Sequence, residues 1–154
     1  MKKLLKTITF IFGIMFILND NEQEIKQKTI TEIEPEFDSL NKENVKEYVY
    51  TTCHQPEIVL KQIYYETGHL TSKICLSNNN LFGMKHPRQR KTFSLGDSLG
   101  YAKYSCWKKS IDDYALYQSE RNLCSKTKKQ YLKHLKDKYA EDKRYITVLS
   151  NISI

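Results

Sequence analysis

From residue 42 to the end, apolar side chains recur at helical spacing, and that spacing is interrupted once, between Asn78 and Tyr104. Val45, Tyr48, Val49 and Thr52 predict a helix over about Lys42–Thr52. Pro56 and Glu57 open a second, Ile58, Val59 and Ile63 give it an apolar stripe, and Gly68 closes it, so it spans about Pro56–Thr67. Beyond the interruption, Trp107, Ile111, Tyr114, Ala115 and Gln118 share one helical side. Tyr131, Leu132 and Leu135 share the next, behind a Ser125 or Thr127 cap. Tyr145, Ile146 and Leu149 share a last one, which starts at about Glu141. Within the break, Asn78-Asn79-Asn80 signals a turn and Leu81-Phe82-Gly83 is a short apolar run. Thr92–Leu95 and Gly100–Tyr104 alternate on either side of a Gly96-Asp97 turn, as in a small β-hairpin. Five short helices and one hairpin make an α+β domain that is mostly α. At 154 residues there is room for one ordinary domain.

Charge divides the chain. Residues 1–18 carry Lys2, Lys3 and Lys6, residues 19–47 carry nine acids against four lysines, and 48–154 hold +9 of a net +7. The three lysines precede the apolar run Ile8–Leu18, the pattern of a signal peptide or signal anchor over 1–18. Ile17-Leu18-Asn19-Asp20 lacks the small residues of a cleavage site, so an uncleaved anchor stays open, and with it membrane attachment through this segment. Residues 19–41 read as an acidic spacer and 42–154 as the folded domain. The basic domain suits anionic partners or is simply a solvated basic surface. Cys53, Cys75, Cys106 and Cys124 have no zinc-type spacing. An exported chain could pair them in three ways, and buried free thiols are the alternative.

One residue breaks a local rule. Glu66 stands in the last turn of its predicted helix, where the partial negative charge of the helix end favours Lys or Arg. Its neighbours in Gln62-Ile63-Tyr64-Tyr65-Glu66-Thr67-Gly68 are largely aromatic and apolar. Both features raise a carboxyl pKa. A carboxylic acid still protonated near neutrality is what glycosidic cleavage requires.

The stretch Ile58–Gly68, followed by Asn79-Asn80-Leu81-Phe82-Gly83-Met84-Lys85, resembles the glucosaminidase-type peptidoglycan hydrolases, which include autolysins and flagellar muramidase-like enzymes. In the same order follow Tyr104, Trp107, Ser110, Ile111, Asp113 and Tyr114, then Tyr139-Ala140-Glu141-Asp142, then Tyr145-Ile146 and Leu149. The resemblance covers roughly 45–152. It implies a lysozyme-like fold, with helices on one side of a groove and the small β-lobe on the other. Glu66 matches the family's catalytic acid and Tyr139 a tyrosine of its cleft. Asn80, Phe82, Tyr104 and Trp107 are candidate substrate-binding residues, with a structural role as the alternative for Asn80, Phe82 and Trp107. The resemblance also implies a Cys53–Cys75 bridge, as some exported members carry.

Two-carboxylate hydrolysis needs a second acid at about 5–5.5 Å for retention or about 6.5–9.5 Å for inversion. Residues 84–104 offer Asp97 alone, in the turn-like Gly96-Asp97-Ser98. Either Asp97 serves, or the substrate's own N-acetyl group does. The expected activity is cleavage of β-1,4 bonds in the wall glycan strand, as an endo-β-N-acetylglucosaminidase. A muramidase or lytic transglycosylase is compatible with the same residues, and a non-catalytic glycan-binding module is the alternative. The expected partner is peptidoglycan, not nucleic acid, with no cofactor and no metal. The expected location is outside the cytoplasm, in the periplasm or cell envelope.

Overall fold

The computed structural model describes residues 39–142 and 144–154. The signal segment and nearly all of the spacer expected from the sequence lie outside the described residues. Helix α1, Lys42–Thr52, starts at Asn41, whose side chain accepts the Asn44 N–H at 2.8 Å. Its buried stripe is Val45 and Val49. Helix α2, Pro56–Thr67, buries Ile58, Val59, Leu60, Gln62, Ile63, Tyr64 and Thr67. A helix apolar on most sides must be surrounded, and α1 and a C-terminal helix, α6 (Tyr145–Ser150), both pack on α2.

The exit from α2 is tightly built. Gly68 is left-handed (φ 56°) and His69 N–H reaches back to Tyr64 O at 2.9 Å, a Schellman-type stop. His69 and Leu70 are left-handed as well, at φ 59° and 71°. Two non-glycine residues hold that conformation because Thr67 Oγ1 donates to Ile63 O at 2.6 Å and accepts from Leu70 N–H at 2.8 Å. The chain thereby turns directly into a short helix that the sequence pattern did not reveal, α3, Lys73–Asn78. Ser72 caps it, accepting the Cys75 N–H.

Three consecutive asparagines then bind the β-lobe to the helices. Asn78 donates to Ser98 O (2.6 Å) and Asn79 to Tyr104 O (3.1 Å). Asn80 donates to Met84 O (2.9 Å) and Ala102 O (2.8 Å), and accepts from the N–H groups of Phe82 and Met84. The lobe is a two-stranded antiparallel hairpin, β1 (Gly96–Ser98) and β2 (Tyr101–Lys103). Its turn is Leu99-Gly100, both at positive φ (58° and 78°), as a two-residue hairpin loop requires. The expected turn at Gly96-Asp97 is thus corrected: these residues pair with Lys103 and Ala102, because the twist of a short hairpin selects the site that supplies two positive φ angles. Thr92–Leu95, expected as a strand, is outside the ladder apart from Leu95 N–H to Lys103 O at 2.8 Å.

Helix α4, Trp107–Glu120, packs along α1, with Trp107 edge-on to Tyr48 at 5.7 Å between ring centroids. Asp113 on α4 is fully buried and gathers the preceding loop. It accepts two Arg90 bonds (3.0 and 2.6 Å), the Phe93 N–H (2.9 Å) and the Tyr104 hydroxyl (2.9 Å). Burial pushes its carboxyl pKa up, but these donors outweigh burial and hold it below the ordinary value. Ser110 accepts the Leu81 N–H at 2.9 Å. Helix α5, Lys128–His134, opens with a Thr127–Gln130 capping box and runs into a π-helical turn, Leu135–Tyr139. The final helix begins at Tyr145 rather than Glu141. Asp142 holds the Arg144 N–H at 2.8 Å and keeps the preceding residues in a turn.

All four cysteines are free thiols, so the expected Cys53–Cys75 bridge is not formed. Cys53 lies at the end of α1, in the electrostatic neighbourhood of Asp112 and Cys124, whereas Cys75 is inside α3. Burial raises the thiol pKa of Cys53 to about 12 and of Cys75 to about 11. Among the described residues no helix is long and apolar enough to cross a membrane.

Candidate active site

Five segments converge on an open cleft of about 720 Å³: the end of α2 (Tyr65, Glu66), the start of α3 (Ser72, Ile74), the strut (Asn80, Phe82–Lys85), Tyr101 of the hairpin, and the chain from the π-helical turn to α6 (Tyr139–Asp142, Tyr145). Glu66 is placed there by the rule it breaks. As a last-turn residue it sits where α2 runs out beside the strut. It is half-buried there, and Tyr145, the first residue of α6, donates its hydroxyl to Glu66 Oε1 at 2.9 Å. Burial raises the Glu66 pKa above the ordinary carboxyl value; the Tyr145 bond lowers it but only partly offsets burial. The other oxygen, Oε2, faces Gly83. A Cβ built on Gly83 would stand 3.5 Å from it, and Gly83 is left-handed at φ 61°. The chain thus passes close to the carboxyl at a residue with no side chain to cover it.

Tyrosines form much of the remaining wall. Tyr145 meets Tyr65 edge-on at 5.3 Å and lies 6.1 Å from Tyr139, centroid to centroid. Tyr139 donates its hydroxyl to Phe82 O at 2.9 Å. Burial, with Tyr145 and Glu66 alongside, lifts its pKa well above the ordinary phenol value. Burial and the Glu66 charge do the same for Tyr145, so both hydroxyls stay protonated through the neutral range. The π-helical turn delivers Tyr139 here, and such turns recur at functional sites.

Of the residues singled out in the sequence, the structure brings Glu66, Tyr139, Asn80 and Phe82 to this cleft. Asn80 is buried with its amide committed to four backbone groups, and Phe82 is 2% exposed, stacked on Tyr114 with 4.0 Å between centroids. Tyr104 and Trp107 are not among the cleft-lining residues: Tyr104 is buried on Asp113 and Trp107 against Tyr48. Asp97 is exposed on the hairpin, is not among them either, and accepts the Gly100 N–H at 3.2 Å across the turn. Arg90, grouped in the sequence with Lys85, His86, Arg88 and Lys91 as one basic cluster, turns inward to Asp113, while Lys85 lines the cleft. Among the described residues no group of three or more His, Cys, Asp or Glu side chains gathers as a metal site. Sequence reasoning missed Tyr145 as a partner of Glu66. Its signal was Gln62, a polar residue four before Glu66 on the side of the helix that buries Ile58, Val59 and Ile63, which announces a buried polar network.

Residues 42–153 match the family model Glucosaminidase, described as mannosyl-glycoprotein endo-beta-N-acetylglucosaminidase. The chain belongs to the Glucosaminidase family. Glu66, the strut and Tyr145 all lie inside the matched span of this glycoside hydrolase family. Protein bax of Escherichia coli (strain K12) is 45% identical over 49 residues, which are 32% of this chain and 18% of that protein. The catalytic domain of the autolysin Auto from Listeria monocytogenes is similar at 24% identity over 69% of this chain and 74% of that one, with a TM-score of 0.46.

Proposed function

We propose that this glucosaminidase domain hydrolyses β-1,4 bonds of peptidoglycan glycan strands as an endo-β-N-acetylglucosaminidase, with Glu66 as general acid. The observation that carries the reading is the state of Glu66: half-buried in a cleft lined by tyrosines, its pKa raised, one oxygen held by Tyr145 and the other beside Gly83. A carboxyl with a raised pKa holds its proton to higher pH and can donate it to the glycosidic oxygen as the bond breaks, and the Tyr145 hydroxyl then stabilises the carboxylate left behind. Tyr139 supports the sugar from the cleft wall; its proton is directed at Phe82 O, so its oxygen is presented as an acceptor.

The second catalytic function is proposed to come from the substrate's 2-acetamido group. Asp97 spends its carboxylate on the hairpin turn, and Asp142 is engaged by Arg144, which holds its pKa below the ordinary value. The substrate-assisted route predicts retention at the anomeric carbon, read by proton NMR of the first product. Inversion would transfer the role to a carboxylate of the cleft, with Glu141 first in line. Mass spectrometry of digested peptidoglycan tests the whole reading. Reducing-end GlcNAc supports it, reducing-end MurNAc or anhydro-MurNAc reassigns it to muramidase or transglycosylase chemistry, and wall binding without new chain ends reduces the domain to a binding module. A wall substrate requires export. The Lys2–Leu18 pattern supports an envelope location, membrane-attached if the segment is retained, and fractionation of cells tests it.

A further inference from the structure

Behind Glu66 a chain of buried side-chain hydrogen bonds crosses the helical core. Tyr145 donates to Glu66 Oε1 (2.9 Å) and accepts from Gln62 Nε2 (3.4 Å). Gln62 Oε1 accepts from the Tyr114 hydroxyl (2.8 Å), which meets the Tyr131 hydroxyl at 2.9 Å. Gln118 Nε2 donates to Tyr131 (2.7 Å). The far end is fixed by backbone: Gln118 Oε1 accepts the His54 N–H at 3.0 Å and Gln118 Nε2 donates to His54 O at 2.8 Å. Gln62, Tyr114 and Tyr131 are fully buried, and Gln118 and Tyr145 are 1% and 2% exposed.

Counting protons gives this chain a direction. The His54 peptide offers one donor and one acceptor, so the Gln118 amide can sit only one way round. Its second N–H is then aimed at Tyr131 O. Tyr131 must donate onward to Tyr114, Tyr114 to Gln62 Oε1, and the Gln62 amide is set with its NH2 towards Tyr145. Tyr145 is left with one place for its proton, Glu66 Oε1. Every hydroxyl in the series points towards the carboxyl.

We propose that the buried series from His54 to Tyr145 is a one-way relay of hydrogen bonds that keeps a donor on Glu66 Oε1, so that Oε2, beside Gly83 in the cleft, is the oxygen that carries and delivers the acid's proton. Gln62, Tyr114, Tyr131 and Gln118 are positioning residues acting through Tyr145. The inference rests on Glu66 being the general acid. Other charged or titratable groups that line the cleft with Glu66 are Tyr65 on its own helix, Tyr139 from the π-helical turn, Glu141 and Asp142 from the loop that follows, where Arg144 binds Asp142, Lys85 from the strut and Tyr101 from the hairpin. None of them belongs to the relay, so the substitutions below leave them in place.

Tyr114→Phe tests the idea. It keeps the ring that stacks on Phe82 and deletes the hydroxyl. The Gln62 amide is then free to turn over and offer its oxygen to Tyr145, diverting that donor from Glu66. A carboxylate that loses a donor has a higher pKa, and a general acid works below its pKa. The alkaline limb of the kcat/KM profile should therefore move to higher pH, by about one unit in Tyr145→Phe and roughly half that in Tyr114→Phe. Tyr117→Phe is the control: that hydroxyl bonds His134 and is not in the relay, so the limb should stay at the wild-type pH. Partial unfolding would lower amplitude without moving the limb. A 13C NMR titration of the Glu66 carboxyl in the same variants reads the shift without turnover. A Tyr114→Phe limb and titration that superpose on wild type, with Glu66→Gln inactive, would overturn the relay alone. An active Glu66→Gln would overturn the acid assignment, and the NMR titration would still decide the relay.

Discussion

Asp113→Asn isolates what holds the β-lobe beside the cleft. The carboxylate is fully buried and its four bonds tie Arg90, Phe93 and Tyr104 to α4. The amide keeps the shape, but Phe93 and Tyr104 donate to different oxygens of Asp113, so the single amide oxygen can accept from only one of them. It removes the charge and points N–H donors at a guanidinium whose side chain is only 14% exposed. Breaking a buried ion pair by removing one partner costs about 3–5 kcal/mol, and the residual exposure of Arg90 places the expected loss near the lower end, about 3 kcal/mol. Urea unfolding at pH 7 measures it. The sign of the pH dependence is a second check. The folded pKa of Asp113 is depressed, so its contribution is complete above the unfolded value of about 3.9 and is lost as pH falls through the folded pKa. Wild type should lose this stability on acidification, and the gap between wild type and variant should close at low pH. Limited proteolysis should cut residues 84–104 first in the variant. A destabilisation under about 0.5 kcal/mol, the range of ordinary surface substitutions, would refute the view that Asp113 clamps the lobe.

Gly83→Ala forces an L side chain to φ 61°, costing about 1–2 kcal/mol, and places a methyl over Glu66 Oε2; the glycan-cleavage rate should fall at least tenfold while the helical circular dichroism is kept. Asp97→Asn should leave kcat within about twofold of wild type, because the amide oxygen still accepts the Gly100 N–H; a loss comparable to that of Glu66→Gln would restore Asp97 as the second acid. Phe82→Ala removes a buried ring stacked on Tyr114 and should cost about 3–5 kcal/mol by thermal or chemical unfolding, with glycan binding lost only in proportion to the unfolded fraction.

Much of this architecture was legible from residue order, for physical reasons. Helices α1, α2 and α4 carry their signals within one turn of their ends, such as Pro56 and Gly68, and bury periodic stripes such as Val45 and Val49. Glu66 could be singled out because a carboxyl at a helix C-terminus among aromatic residues contradicts local electrostatics. Helix α3 was hidden, since its six residues are too few to show a period and its entry depends on His69 and Leu70 at positive φ, which Thr67 stabilises by a tertiary-like clip. The hairpin turn was misplaced by three residues because Gly96-Asp97 has better turn composition than Leu99-Gly100, and register, not composition, decided. Tyr104 and Trp107 were candidate sugar contacts, Trp107 with a core role as its alternative, because an aromatic ring suits core and cleft equally; only packing distinguishes the two. Tyr145 was placed correctly as a buried residue, but a bond spanning 79 residues to Glu66 leaves no trace in local spacing.

Glycan cleavage in this cleft depends, in the mechanism proposed, on one proton on Glu66. Purified wild type and Glu66→Gln, matched in thermal stability, can be compared for release of reducing ends from isolated peptidoglycan. Gln is isosteric and can still accept from Tyr145, but it has no proton to give. The expected rate for the variant is at least a hundredfold lower, with unchanged binding to the wall. A variant that releases reducing ends at the wild-type rate would contradict that mechanism.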